Sequence, residues 1–379
     1  MKNNLLTIII SSLSTCIICY MLFFVYHFFE NHEHNPYLFK SIEEVNITKY
    51  YSNKLHHLRG HRRQKNKSNP EEYIFSIMNE FGENKNNILV QGDSWIEQLN
   101  ESEESKSYKN FYNFVINNNL GLINSGTSSY SPSLMQLQFN ILEKDFNIKP
   151  NIVIAYIDQT DIGDELCRYR HSRLYDKNNN LISVKNENHS RAVFEYTMIN
   201  NISEIVLLNH SKFFRTYHLT NFFIKYGYFR GINKIKTINE YGWKNRNIKK
   251  CHFSQITKYL NKIDTKDLSY FNKRLLDYLN LLMEKDYVNK IILITFPHYN
   301  HLYEYNEKLK YNVNVSDIVE KIAQKNEKIY HLNFSKLIMN NEIKFESSAY
   351  KDDKSHIKDV YYNNIFINSI KNKILENLK

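Results

Sequence analysis

Asn86-Asn87-Ile88-Leu89-Val90-Gln91-Gly92-Asp93-Ser94-Trp95 sets a short apolar run against a glycine and a polar pair, and the residues that follow, Ile96 to Leu99, can open a helix. A buried strand that turns into a helix through Gly-Asp-Ser leaves a serine hydroxyl at the strand's carboxyl end. Open α/β sheets place their ligands there. Taken alone, such a tripeptide is most often a turn. Near the other end of the chain stands Asp353-Lys354-Ser355-His356. A serine becomes a nucleophile when a base takes its proton, and the base needs an orienting carboxylate. Ser94, His356 and Asp353 are the three residue types required.

Strand and helix signals alternate outward from this stretch. Short apolar runs at Asn87 to Gln91, Gly121 to Asn124, Ile152 to Ile157, Ile291 to Phe296 and Ile329 to Phe334 read as buried strands. Helices are expected over Ile96 to Asn118, Ser131 to Phe146, Leu268 to Lys285, Val315 to Asn326 and Val360 to Leu378. Repeated βα units imply an α/β fold with a parallel, doubly wound sheet, the serine following its first strand and the histidine preceding its last helix. From about residue 165 to 264 the rhythm breaks. A hairpin of Arg173-Leu174-Tyr175 with Leu181 to Val184, then aromatic-rich segments, reads as an insertion after the third strand.

The other boundaries follow from charge and hydropathy. Residues 5 to 26 carry no charge and, at about 1.5 Å per residue, match the roughly 30 Å hydrocarbon layer. They read as a retained membrane anchor within residues 1–30, with a juxtamembrane stalk over 31–85, a helix from Pro70 to Phe81, and the catalytic domain over 86–379. The expected location is the cytoplasmic membrane, single pass, with the domain on its outer side. The net charge of +10 is spread over the chain, apart from a basic block from Lys54 to Lys67 that suits an anionic membrane surface or a solvated linker. No recognition motif accompanies that block, so nucleic acid is not an expected partner. Cys16 and Cys19 fall in the apolar segment; Cys167 and Cys251 can pair if the domain is extracytoplasmic. No cysteine–histidine spacing in the rest of the chain points to a metal.

In Gly92-Asp93-Ser94-Trp95 and Asp353-x-x-His356 the chain resembles the SGNH (GDSL) hydrolase superfamily. The resemblance implies a flavodoxin-like three-layer sandwich, Ser94 as nucleophile with its own N–H as an oxyanion donor, His356 as general base and Asp353 as its partner. It implies a second backbone donor after the second strand. Asn124-Ser125-Gly126-Thr127-Ser128-Ser129 puts that donor at Ser129, or at Gly126 in another register. The third block, Gly-x-Asn-Asp in the family, falls on Asp158-Gln159-Thr160-Asp161, so Thr160 replaces the asparagine whose side chain would donate to the oxyanion. A threonine hydroxyl is shorter and its rotamers are restricted. Asp158 and Asp161 then stand beside the cleft or cap its loop, and Arg168, Arg170 and His298 are candidates for substrate contact. No metal or organic cofactor is implied. Anchored relatives with an insertion often handle acetyl groups of surface polysaccharide, so the expected substrate is an O-acylated carbohydrate. The alternative is a catalytically weak binding or assembly module for such a polysaccharide.

Overall fold

In the computed structural model the described residues are 74–100, 105–170, 172–184, 265–299, 314–351 and 356–378, with short pieces between 11 and 58. Among these residues eight strands lie in two sheets. The larger contains β1 (Ser76–Asn79), β2 (Asn86–Gln91), β3 (Leu120–Asn124), β4 (Ile152–Tyr156), β7 (Lys290–Thr295) and β8 (Ile329–Asn333). Their spatial order is β1-β3-β2-β4-β7-β8. All neighbours run parallel except β1, which lies antiparallel on β3. The five parallel strands thus follow the flavodoxin-like order, second-first-third-fourth-fifth. The order reverses between β2 and β4, the point at whose carboxyl ends open α/β sheets place their ligand crevice.

Both faces of the sheet are covered, which explains why its strands read as unbroken apolar runs. Side chains alternate along each strand: Ile152, Ile154 and Tyr156 point to one layer, and Val153 and Ala155 to the other. The first layer is built from α1 (Ser94–Glu97), α2 (Lys106–Asn117) and the carboxyl-terminal α7 (Asn368–Leu378), through Trp95, Phe111, Phe114, Ile370 and Ile374. The second holds α3 (Pro132–Phe146), α4 (Thr265–Met283) and α5 (Val315–Ala323), through Leu134, Phe139, Phe271, Tyr278 and Val319. A short α6 (Phe334–Met339) follows β8. The hairpin of β5 (Arg173–Tyr175) and β6 (Leu181–Val184) forms the second sheet, where the sequence places it.

Two readings need correction. Ser76–Asn79 is a strand within the expected Pro70 to Phe81 helix, and it pairs with β3. Four residues are too few for either period to assert itself, and pairing with a strand some forty residues downstream decides the outcome. Pieces of the expected stalk also belong to the core. Tyr51, Leu55 and Leu58 are buried, Tyr51 stacks on Phe146 at 5.8 Å, and the Lys54 carbonyl accepts from the Val184 N–H at 2.9 Å. Among the described residues no helix is long and apolar enough to cross a membrane. Most of residues 5–26, the expected anchor, lie outside them.

Candidate active site

Ser94 is the first residue of α1, just beyond the carboxyl end of β2 at this switch point. The turn that places it is tight. Gly92 has φ of 151°, and a Cβ there would stand 2.8 Å from Ile96 Cγ1 and 2.9 Å from Tyr156 Cβ. Asp93 caps the helix, its carboxylate accepting the Trp95 N–H at 2.9 Å. His356 arrives from the far end of the sheet. Its carbonyl accepts from the Lys351 N–H at 2.7 Å, Ile357 bridges to Tyr350, and its ring lies 6.4 Å from that of Trp95. Trp95 is fixed in turn by Tyr362, whose hydroxyl donates to the Trp95 carbonyl at 2.6 Å. The outcome is a hydrogen bond of 2.7 Å between Ser94 Oγ and His356 Nε2. Asp353 lies outside the described residues.

The loop after β3 is laced to the nucleophile's turn. Ser125 N–H donates to Val90 O at 2.8 Å and Thr127 N–H to Gly92 O at 2.9 Å. The Asn124 side chain spans the gap, donating to Ile96 O at 3.0 Å and accepting the Gly126 N–H at 2.8 Å. Beneath it a buried amide chain runs from Tyr278 through Gln91 and Gln138 to the Ser125 carbonyl. Ser128 gives both its N–H and its hydroxyl to Glu97 Oε2. These bonds separate the two registers. The Gly126 N–H is spent on Asn124, whereas the N–H groups of Ser94 and Ser129 meet no acceptor among the described residues. Ser129 has φ of 62°, a left-handed conformation that costs a non-glycine residue about 1–2 kcal/mol. Such strain collects at functional sites.

The third loop differs from the expectation for Thr160. Its hydroxyl is hydrogen-bonded to Asp158 Oδ2, so its single proton serves the loop. Asp158 also accepts from Tyr156 OH at 3.4 Å, and its N–H donates to Asp161 Oδ2 at 3.1 Å. Asp93 and Asp161 are both held well above the ordinary carboxylate range, first by burial and then by neighbouring carboxylates. Asp164 is pushed up to about 7 by burial, against the pull of Arg168. The Asp161 Oδ1 atom is buried without a partner.

Asp161 therefore keeps its proton at pH values where the unfolded chain has lost it. Folding stability falls as pH rises above the unfolded value of 3.8. Asp161→Asn stays neutral throughout and escapes that loss. The difference in melting temperature between variant and parent is expected to move in the variant's favour from about pH 4 upward, measured by thermal denaturation. A difference independent of pH contradicts this assignment.

The arginines are committed to carboxylates. Arg168 pairs with Asp164 at 3.1 Å and Arg170 with Asp267 at 2.7 Å. Arg173 forms a buried pair with Glu165, which also accepts from Ser131 OH at 2.6 Å and Ser133 N–H at 2.8 Å. Burial lowers Arg173 to about 9, still protonated at neutral pH. This geometry ties each of the three to a carboxylate of the scaffold. His298 is buried beyond the end of β7. Cys167 is disulfide-bonded, and Cys251 lies outside the described residues.

No protein-family model and no curated protein matches the chain. Among solved structures it is similar to that of LAE5, an alpha/beta hydrolase enzyme from the metagenome of Lake Arreo, Spain. The likeness covers 79% of this chain and 97% of that one, at 9% identity and a TM-score of 0.37. At that distance the functional reading rests on the geometry of Ser94 and His356. Sequence reasoning missed Glu97, Gln138, Glu165 and Tyr169, which hold the loops from 13 to 40 positions away. No local pattern marks them.

Proposed function

We propose that this chain is a serine ester hydrolase or O-acyltransferase of SGNH type, acting on O-acyl groups, chiefly acetyl, of cell-surface carbohydrate. The observation that carries the reading is the 2.7 Å contact between Ser94 Oγ and His356 Nε2. With the ring proton on Nδ1, Nε2 accepts the Ser94 proton as Oγ attacks the acyl carbonyl. Asp353, three residues before His356, is assigned to hold that Nδ1–H. The oxyanion takes hydrogen bonds from the free N–H groups of Ser94 and Ser129. His356 returns its proton to the leaving sugar oxygen, then activates the water or acceptor hydroxyl that releases the acyl group. The anchor at residues 5–26 would hold this domain at the outer face of the cytoplasmic membrane.

The test is release of acetate from an activated acetyl ester and from an O-acetylated polysaccharide by the full-length protein. Acetate from either supports ester chemistry. Acetyl groups appearing on an added oligosaccharide identify transfer, and no reaction with any of them rejects the reading.

The engagement of Thr160 with Asp158 favours a second reading, a weakly catalytic carbohydrate-binding module. Thr160→Asn separates the two. If the site is an enzyme short of one donor, asparagine there raises kcat by up to about 10²-fold, the value of one oxyanion donor. In a binding module esterase activity stays at background.

A further inference from the structure

Resting on the reading of Ser94 as nucleophile, we propose that Tyr169 is a positioning residue for the oxyanion: its hydroxyl holds Ser129 in the conformation that leaves the Ser129 N–H free.

Three contacts frame Ser129. On its amino side Ser128 is tied to Glu97, the last residue of the helix that Ser94 begins. On its carboxyl side the Tyr130 N–H donates to Thr127 O at 3.0 Å. The third contact comes from outside this loop, where the hydroxyl of Tyr169 donates to the carbonyl of Ser129 itself. Ser129 is a serine with φ of 62°, a conformation glycine takes freely and serine does not. It persists when its surroundings over-determine it, and the bond to its carbonyl is one of the few restraints able to do so.

The local fold suits Tyr169 to this task. After the turn Asp161–Gly163 the backbone widens into a π-helical stretch, Asp164–Tyr169, a form often found at functional sites. Glu165 and Tyr169 both reach from this stretch onto the same segment, Glu165 to Ser131 and Ser133 and Tyr169 to Ser129. The stretch is itself fastened by the Arg168–Asp164 pair at 3.1 Å and by the disulfide of Cys167. Tyr169 is fully buried, and burial keeps its hydroxyl protonated, hence a donor.

Tyr169→Phe keeps the ring and removes only the donor. With an activated acetyl ester and the full-length protein, kcat is expected to fall about 10- to 100-fold while KM stays within about twofold, since only transition-state stabilisation is lost. Adding Ser129→Gly to that variant is expected to recover at least about threefold in kcat, because glycine holds the left-handed conformation unaided. Parent and variants are assayed at one temperature, well below the lowest melting point. If Ser94→Ala abolishes turnover but Tyr169→Phe leaves kcat within about twofold of the parent, Tyr169 only fills space and the proposal fails. A fall in kcat that Ser129→Gly does not recover reports general loosening and also overturns it. If the parent is as inert as Ser94→Ala, the reading of the site fails first and this proposal goes with it.

Discussion

Ser94→Ala is expected to lower hydrolysis of an activated acetyl ester by at least about 10³-fold while leaving the fold intact. The two halves of that expectation have separate grounds. Ser94 is half-buried, and its hydroxyl is bonded to His356. Deleting one such bond changes stability by about 1 kcal/mol, too little to unfold a domain with two apolar layers. The rate loss follows because the hydroxyl that His356 Nε2 would activate is removed. His356→Ala is expected to match it, and the double variant to be no worse than either single one, since nucleophile and base act as a unit. Steady-state kinetics alongside melting temperatures checks both halves. Additive losses in the double variant would contradict the pairing.

Gly126→Ala has the next largest expected effect, through packing. A Cβ at Gly126 would lie 2.5 Å from Ile96 Cγ2 and 2.6 Å from the Glu97 backbone nitrogen. Ile96 is itself fully buried, and a backbone atom has no rotamer to change. Either the loop after β3 or helix α1 must move. The cost is about 1–3 kcal/mol of overpacking, and a shift of about 1 Å between Ser94 and Ser129 is worth roughly 10²-fold in rate. A fall in both melting temperature and kcat is expected. Gly82→Ala is the control: its Cβ would meet only the Lys85 side chain, no closer than 3.4 Å. Equal effects of the two substitutions would refute the packing argument.

The parts of the fold legible from sequence are those that local pattern controls. The five parallel strands show as apolar runs because both their faces are covered, and the Gly-Asp-Ser turn shows because only glycine tolerates the backbone at Gly92. The spacing Asp353-x-x-His356 marked His356 among 15 histidines, and the structure brings it to Ser94 across 262 positions. Illegible features depend on partners distant in the chain. β1 is a strand because β3 offers an edge. Arg168 and Arg170 look like free cations until Asp164 and Asp267 appear beside them. Tyr169 is one of 29 tyrosines, and nothing in its neighbours announces a bond to Ser129. Whether Gly126 or Ser129 offers a free N–H turns on the Asn124 side chain, a detail of loop geometry that spacing alone does not encode.

The central claim is that His356 activates Ser94, and covalent trapping addresses it most directly. A fluorophosphonate probe reacts with a serine whose proton is removed by a neighbouring base, and the modified peptide is found by mass spectrometry. One adduct is expected, on the peptide containing Ser94, lost in His356→Ala and in protein unfolded before exposure to the probe. An adduct on another serine, or equal labelling of Ser94 with and without His356, would contradict it.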